Sequence, residues 1–134
     1  MALQLSTGVR NAQADQLETT VGTAPKLQIR SGAVPANCAA ADAGTLLCEI
    51  TLPSDWLTAA SAGLKQKNGT WIGTGAATGT AGHFRVKDSA GSTCHMQGTV
   101  TITGGGGDMT LTNTSVAISQ AVVIDTFDYT RGNP

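Results

Sequence analysis

His83 and His95 are the only two histidines in this sequence, and so the only side chains titrating near neutral pH that could act as a general base. A hydrolytic triad also needs a nucleophile and an orienting acid in the same cleft. Neither histidine adjoins a Gly-x-Ser-x-Gly turn. His83 occupies an outward position in an alternating stretch beside Arg85 and Lys87, which marks it as a surface residue. Glycoside chemistry by two carboxylates would have to draw on seven Asp and two Glu. Glu49 points outward from a strand, and the odd spacing of Asp125 and Asp128 puts them on opposite faces of another. No catalytic residue is assigned, and the chain is expected not to be an enzyme.

Metal and phosphate chemistry fare no better. Cys94 and His95 are adjacent, so on a strand they face opposite ways, and no Cys-x-x-Cys or His-x-x-x-His supports them. Three cysteines, Cys38, Cys48 and Cys94, are odd in number, which argues against a disulfide framework. Cys48 alternates with Leu46, Ile50 and Leu52 and reads as a small buried hydrophobe. The glycine-rich stretch 73–79 lacks the following helix and the Gly-Lys-Ser/Thr that a phosphate loop requires. No metal and no cofactor are expected. Trp56 and Trp71 read first as core or hairpin packing, and otherwise as anchors in a protein–protein contact.

The elements that would position these residues are mostly strands. Residues 1–7 form a short extended arm in which Leu3 and Leu5 alternate with polar neighbours. Ser6 or Thr7 then caps a helix over residues 8–20, with Val9, Ala12, Ala14 and Leu17 weakly amphipathic and Gly22 ending it. Residues 26–31 alternate with Lys26, Gln28 and Arg30 outward, as on a half-exposed or edge strand. Residues 33–45 are small and proline-interrupted, hence a loop. Residues 46–52 form the clearest strand, closed by Pro53 and followed by a possible single turn capped by Ser54. Asn68-Gly69 predicts a tight hairpin between two short strands. Strands follow at 83–88, at 94–103 with a bulge or weakening at Gly98, and from Met109. The four glycines at 104–107 make a flexible connection. The last strand, 121–130, carries Val122 and Ile124 on one face and Val123, Phe127 and Tyr129 on the other.

Seven or eight strands at about ten-residue spacing predict an all-β fold, an antiparallel β-sandwich of jelly-roll type, with a short N-terminal arm and helix. The arm and helix take residues 1–22, and a single sandwich domain takes 23–134. Thr, Ala and Gly make up 56 of the 134 residues. That composition suits a pleated surface with small-residue loops. A formal net charge of −1 argues against nucleic-acid or acidic-membrane partners, which call for a basic face. The N-terminus has no basic, apolar leader pattern, so the chain is expected to be made in the cytoplasm without a signal peptide.

Several blocks resemble one family. The opening MALQLSTGVRNA is similar to the MAL-LSTGLRNA start of small structural proteins encoded in tailed-phage morphogenesis regions. Further matches, in order, are Leu27–Gly32, Gly44–Leu47 leading into Glu49-Ile-Thr, Asn68–Gly75, Gly79–Arg85 and Val122–Tyr129. His83 stands where that pattern carries a bulkier aromatic. The resemblance implies a virion component of the capsid cement or decoration type, on the outer surface of the shell. Its expected partners are the major capsid protein and itself, as a dimer or trimer. Leu3, Leu5, Val9, Arg10, Trp56, Trp71, Phe127 and Tyr129 are the expected contact residues. A second expectation is a carbohydrate-binding head-fibre or tail module that stacks sugars on Trp56 beside Asp55, or on Trp71 beside Asn68. A third is a tail-tube or tail-completion protein.

Overall fold

The computed structural model describes residues 3–132. The first two residues of the expected arm and the last two of the expected sandwich domain lie outside the described residues. Helix α1 (Thr7–Val21) begins where the Ser6 side chain accepts a hydrogen bond from the Val9 N–H at 3.2 Å. It ends at Gly22, whose φ of 89° only glycine adopts freely, and whose N–H closes on the Glu18 carbonyl at 2.9 Å. No helix among the described residues is long and apolar enough to cross a membrane.

The remainder is β structure, mostly antiparallel, curled into one mixed sheet. The strands are β1 (Lys26–Ser31), β2 (Leu46–Thr51), β3 (Leu64–Gln66), β4 (Ile72–Thr74), β5 (Gly79–Lys87), β6 (Cys94–Ile102), β7 (Met109–Leu111), β8 (Ser115–Val116) and β9 (Ala121–Thr130). Their order is β2-β1-β5-β6-β7-β9-β3, with β4 also paired to β9 and β8 to β5. The curl brings β4 against the inner face of β2. A Cβ on Gly73 would sit 2.6 Å from Ile50 Cγ1 and 2.7 Å from Cys48 Sγ, so only glycine permits the approach. Between these layers lies one apolar core, with Leu27, Ile29, Leu47, Phe84, Val86, Met109, Leu111 and Ile124 among its buried members.

Four local expectations need correction. The strand β1 is interior, between β2 and β5, and is no edge. The Asn68-Gly69 hairpin does not form. The strand β3 pairs with the end of β9 (Leu64 opposite Thr130) and β4 with its start (Ile72 opposite Val123). The ten-residue β9 offers both short strands a partner, and Asn68 is instead held by the Trp56 and Asp55 carbonyls, each at 2.9 Å. Residues 53–56 make no helical turn, because Trp56 must enter the core and Leu57 bridges to Lys67. Gly98 stays in register opposite Phe84; the irregularity in that pair falls between Val86 and Lys87.

The strand β9 does not bury two faces. Its register against β7 runs Phe127 to Met109, Thr126 to Thr110 and Ile124 to Leu111, which leaves Asp125 as an extra, bulged residue. The bulge reverses the alternation, so Val122, Ile124 and Phe127 all point inward. The β6–β7 pair is parallel, Val100 opposite Met109. Parallel neighbours ordinarily need a crossover of about a dozen residues. Here residues 103–108 suffice, because the glycine run folds straight back along β6. Gly107 N–H bonds the Thr101 hydroxyl at 2.9 Å, and Asp108 accepts from Thr99 N–H and hydroxyl, both at 2.9 Å. Cβ atoms at Gly105 and Gly107 would lie 2.8 and 2.9 Å from Thr101. The run expected as a flexible connection is a fitted return.

Candidate functional site

Three regions carry the polar and exposed features from which a function can be argued. The first is a loop, residues 32–45, laid over the outward face of β1, β5 and β6. Its base closes by Ser31 N–H to the Thr45 carbonyl at 3.1 Å and Thr45 N–H to the Ser31 hydroxyl at 2.9 Å. Under it the register places Gln28 opposite Arg85, and Arg85 opposite Gln97. Arg85 is the pin. One guanidinium nitrogen donates to the Ala40 carbonyl at 3.0 Å and to Asp42 at 2.6 Å. The other donates to the carbonyls of Cys38 at 2.8 Å and Asn37 at 3.4 Å. Asp42 also receives Lys87 Nζ at 2.6 Å and Arg30 at 3.2 Å.

This strap changes the reading of His83. Its ring is fully buried, with Nδ1 3.0 Å from the Gly32 carbonyl, because the strap covers the face expected to meet solvent. Arg85 and Lys87 are buried with it. The cluster was missed because alternation assigns a face and cannot say what lies on it. The available signal was Asp42, a lone carboxylate in a loop of small residues, opposite cations of matching parity on β1 and β5.

Hydrogen bonding from Lys87 pulls the Asp42 carboxyl below its usual 3.8; burial opposes this, and Arg85 and Arg30 add to it. A depressed folded-state pKa contributes stability above the unfolded value and loses it as pH falls through the folded one. Urea unfolding measured from about pH 5 to about pH 2.5 should show that loss. Asp42→Asn should cost about 2 kcal/mol at neutral pH, at the lower end because the carboxylate is partly exposed, and should flatten the acid slope. An unchanged slope in that variant would remove Asp42 from the explanation.

The second region is a groove of about 520 Å³ between α1 and residues 54–65, with Asp15, Glu18, Asp55 and Lys65 on its walls. Lys65 is buried and bonds Asp15 at 2.7 Å and Glu18 at 3.0 Å. Burial alone would lower the Lys65 pKa, but bonds to the two carboxylates outweigh it and raise it. The bond from Lys65 holds Asp15 below its ordinary value. Glu18 further accepts from Leu57 N–H at 3.3 Å, and the Trp56 indole donates to the Gly22 carbonyl at 3.1 Å. These bonds attach a weakly amphipathic helix to the sheet. A carboxylate kept ionised by a fixed ammonium is poorly placed to act as an acid. Asp125 and Asp128 correct the opposite-face expectation in the same spirit. The bulge brings both to a shallow hollow of about 210 Å³, where Asp125 accepts from the Thr103 hydroxyl at 2.8 Å and Asp128 from Gln66 at 3.1 Å.

The third region is the N-terminal segment. Leu3 is 69% exposed and Val9 46%, while Leu5 and Arg10 are half-buried. Gly63 ties this end together. Its N–H donates to Asn11 Oδ1 at 2.8 Å, and its carbonyl accepts from Arg131 N–H at 2.8 Å.

The aromatic contact residues need correction. Trp56 and Trp71 are 0% and 1% exposed, and Phe127 is buried too. Ring centroids lie 6.1 Å apart for Trp56 and Trp71, 5.8 Å for Trp71 and Phe127, and 5.9 Å for Phe127 and Phe84. Four of the five aromatic residues thus form one chain through the core. The inward turn of residues 53–57 and the β9 bulge put them there, so none is open to a sugar ring or a neighbouring subunit. Tyr129 is half-buried against the same core. Among the described residues no group of three or more His, Cys, Asp or Glu side chains gathers in a way that could hold a metal ion. Comparison with family models, curated proteins and solved structures finds no match to this chain.

Proposed function

We propose that this chain is a non-enzymatic virion structural protein of the cement type, which binds the outside of a tailed-phage capsid as a dimer or trimer and bridges neighbouring major capsid subunits. The observation that carries the reading is the N-terminal segment, where Leu3 and Val9 present apolar surface close together in the sequence; Ile72, Ile102 and Ile118 are the other large apolar side chains left exposed among the described residues. The chain-long resemblance to phage morphogenesis proteins agrees with it. So does the commitment of the groove carboxylates to structural pairs. We read the curled sheet as a sandwich of jelly-roll type, β1 and β2 facing β4 and β9, that serves as a rigid spacer. On a symmetric shell, modest affinity per contact multiplies through simultaneous engagement.

Because Ser6 caps α1, the clean truncation stops short of it. Removing residues 2–5 takes Leu3 and Leu5 and keeps the cap. Each buried leucine contributes roughly 1.5–3 kcal/mol. The truncated protein should bind empty shells of the same phage's major capsid protein at least about tenfold more weakly. Its urea midpoint should stay near that of the full chain. Co-sedimentation measures the first quantity, and undiminished pelleting would overturn the role of the arm.

A further inference from the structure

The odd cysteine count hid a pair. Cys38 lies on the strap and Cys94 opens β6, opposite Lys87 on β5. Both line one hollow of about 250 Å³, together with Asp42, Arg85, Lys87 and Ser92. Both are only partly buried, whereas Cys48 is sealed in the core. Arg85 holds the strap at this point through the Cys38 carbonyl, at 2.8 Å. The Cys94 thiol is oriented by the Met96 carbonyl at 3.4 Å. We propose that Cys38 and Cys94 are a modification site, a dithiol that a small-molecule disulfide oxidises to an intramolecular disulfide, fastening the strap covalently to the sheet.

The two thiols are unequal. Burial first, and then the neighbouring Cys94, push the Cys38 thiol up to about 11, so it is the poorer nucleophile at neutral pH. Cys94 lies against the Arg85 guanidinium and is the thiol left to attack first. With glutathione disulfide as oxidant, the Cys94 thiolate attacks one sulfur, forms a mixed disulfide and expels one glutathione thiolate. The Cys38 thiolate then attacks the Cys94 sulfur and expels the second. Each cysteine proton ends on a released glutathione. The protein loses two protons and two electrons, and glutathione disulfide gains them to become two thiols. A relaxed disulfide wants Cα atoms roughly 4.4–6.8 Å apart. Cys38 lies in a short turn closed by the Ala40 N–H on the Asn37 carbonyl at 3.1 Å, so the span is reached by a shift of that turn while β6 stays in its ladder with β5.

The test uses the reduced full chain incubated with glutathione disulfide near neutral pH. Intact mass should fall by two hydrogens, a non-reducing digest should link the Cys38 and Cys94 peptides, and Cys48 should remain the one free thiol after denaturation. Cys38→Ser should stop at a glutathione adduct on Cys94. The urea midpoint of the oxidised protein should rise and return on reduction, because a long loop is closed in the unfolded chain. An unchanged mass, stable adducts on both cysteines, a link through Cys48 or a bond between two chains would each overturn the site. A disulfide with no rise in midpoint would overturn its role as a fastening.

Discussion

Arg85→Met is expected to lower folding stability by about 3–5 kcal/mol, the size seen when one member of a buried charge pair is removed and the rest is left in place. Methionine fills much of the volume of the side chain. What it cannot do is satisfy the carbonyls of Ala40, Cys38 and Asn37 or share Asp42 with Lys87. Arg85→Lys should also lose most of this, because an ammonium cannot reproduce the planar fork that serves two sides at once. Urea unfolding at neutral pH measures the loss, and amide exchange should quicken selectively in residues 33–45. A methionine variant within about 1 kcal/mol of the parent would show that the strap is held by something other than this guanidinium.

Trp71→Ala should cost a comparable amount, about 3–5 kcal/mol. Its ring sits mid-chain in the aromatic row, between Trp56 and Phe127, and its indole N–H bonds the Asn68 carbonyl at 3.1 Å. Removing it opens a void against two large rings and leaves the half-buried Asn68 carbonyl without this donor. Trp71→Phe keeps the ring contacts and should cost about half as much. Near-ultraviolet dichroism should report loss of the coupled indole signal in the alanine variant. A small effect there would mean the core collapses around the gap far better than rings at these spacings suggest.

Alternation and cap chemistry made the long elements legible. Leu46 to Thr51, the second half of Gly79 to Lys87 and Ala121 to Thr130 read as strands from their apolar residues, whereas residues 79–82 are too small to show a period and read as part of a glycine-rich stretch. Ser6 and Gly22 bracket a helix by their own backbone chemistry. Three things have no local signature. Asn68-Gly69 is a strong turn signal, yet the choice of partner for its flanking strands depended on a ten-residue β9 far along the chain. The Asp125 bulge depends on register against β7, and a one-residue insertion there moved Phe127 from one face to the other. The strap was recognisable as a loop, but its resting place decided whether His83, Arg85 and Lys87 met water or protein. In the candidate site, alternation on the arm did not fix the exposure of Leu3, and Val9 is exposed although its spacing groups it with the buried Ala14 on the apolar side of the helix. Trp56 and Trp71 read first as core or hairpin packing, and both are buried in the core; only their placing among the contact residues needed the tertiary fold to correct it.

Gly63 also brings distant parts of the chain together. Through it Asn11, in the second turn of α1, and Arg131, the residue after β9, are neighbours, so the polypeptide between them runs almost as a closed circuit. A linker between this part of α1 and the end of β9 would need few residues. Loop-closure entropy grows only slowly with length, so the unfolded circle would give up freedom that the folded one has already lost.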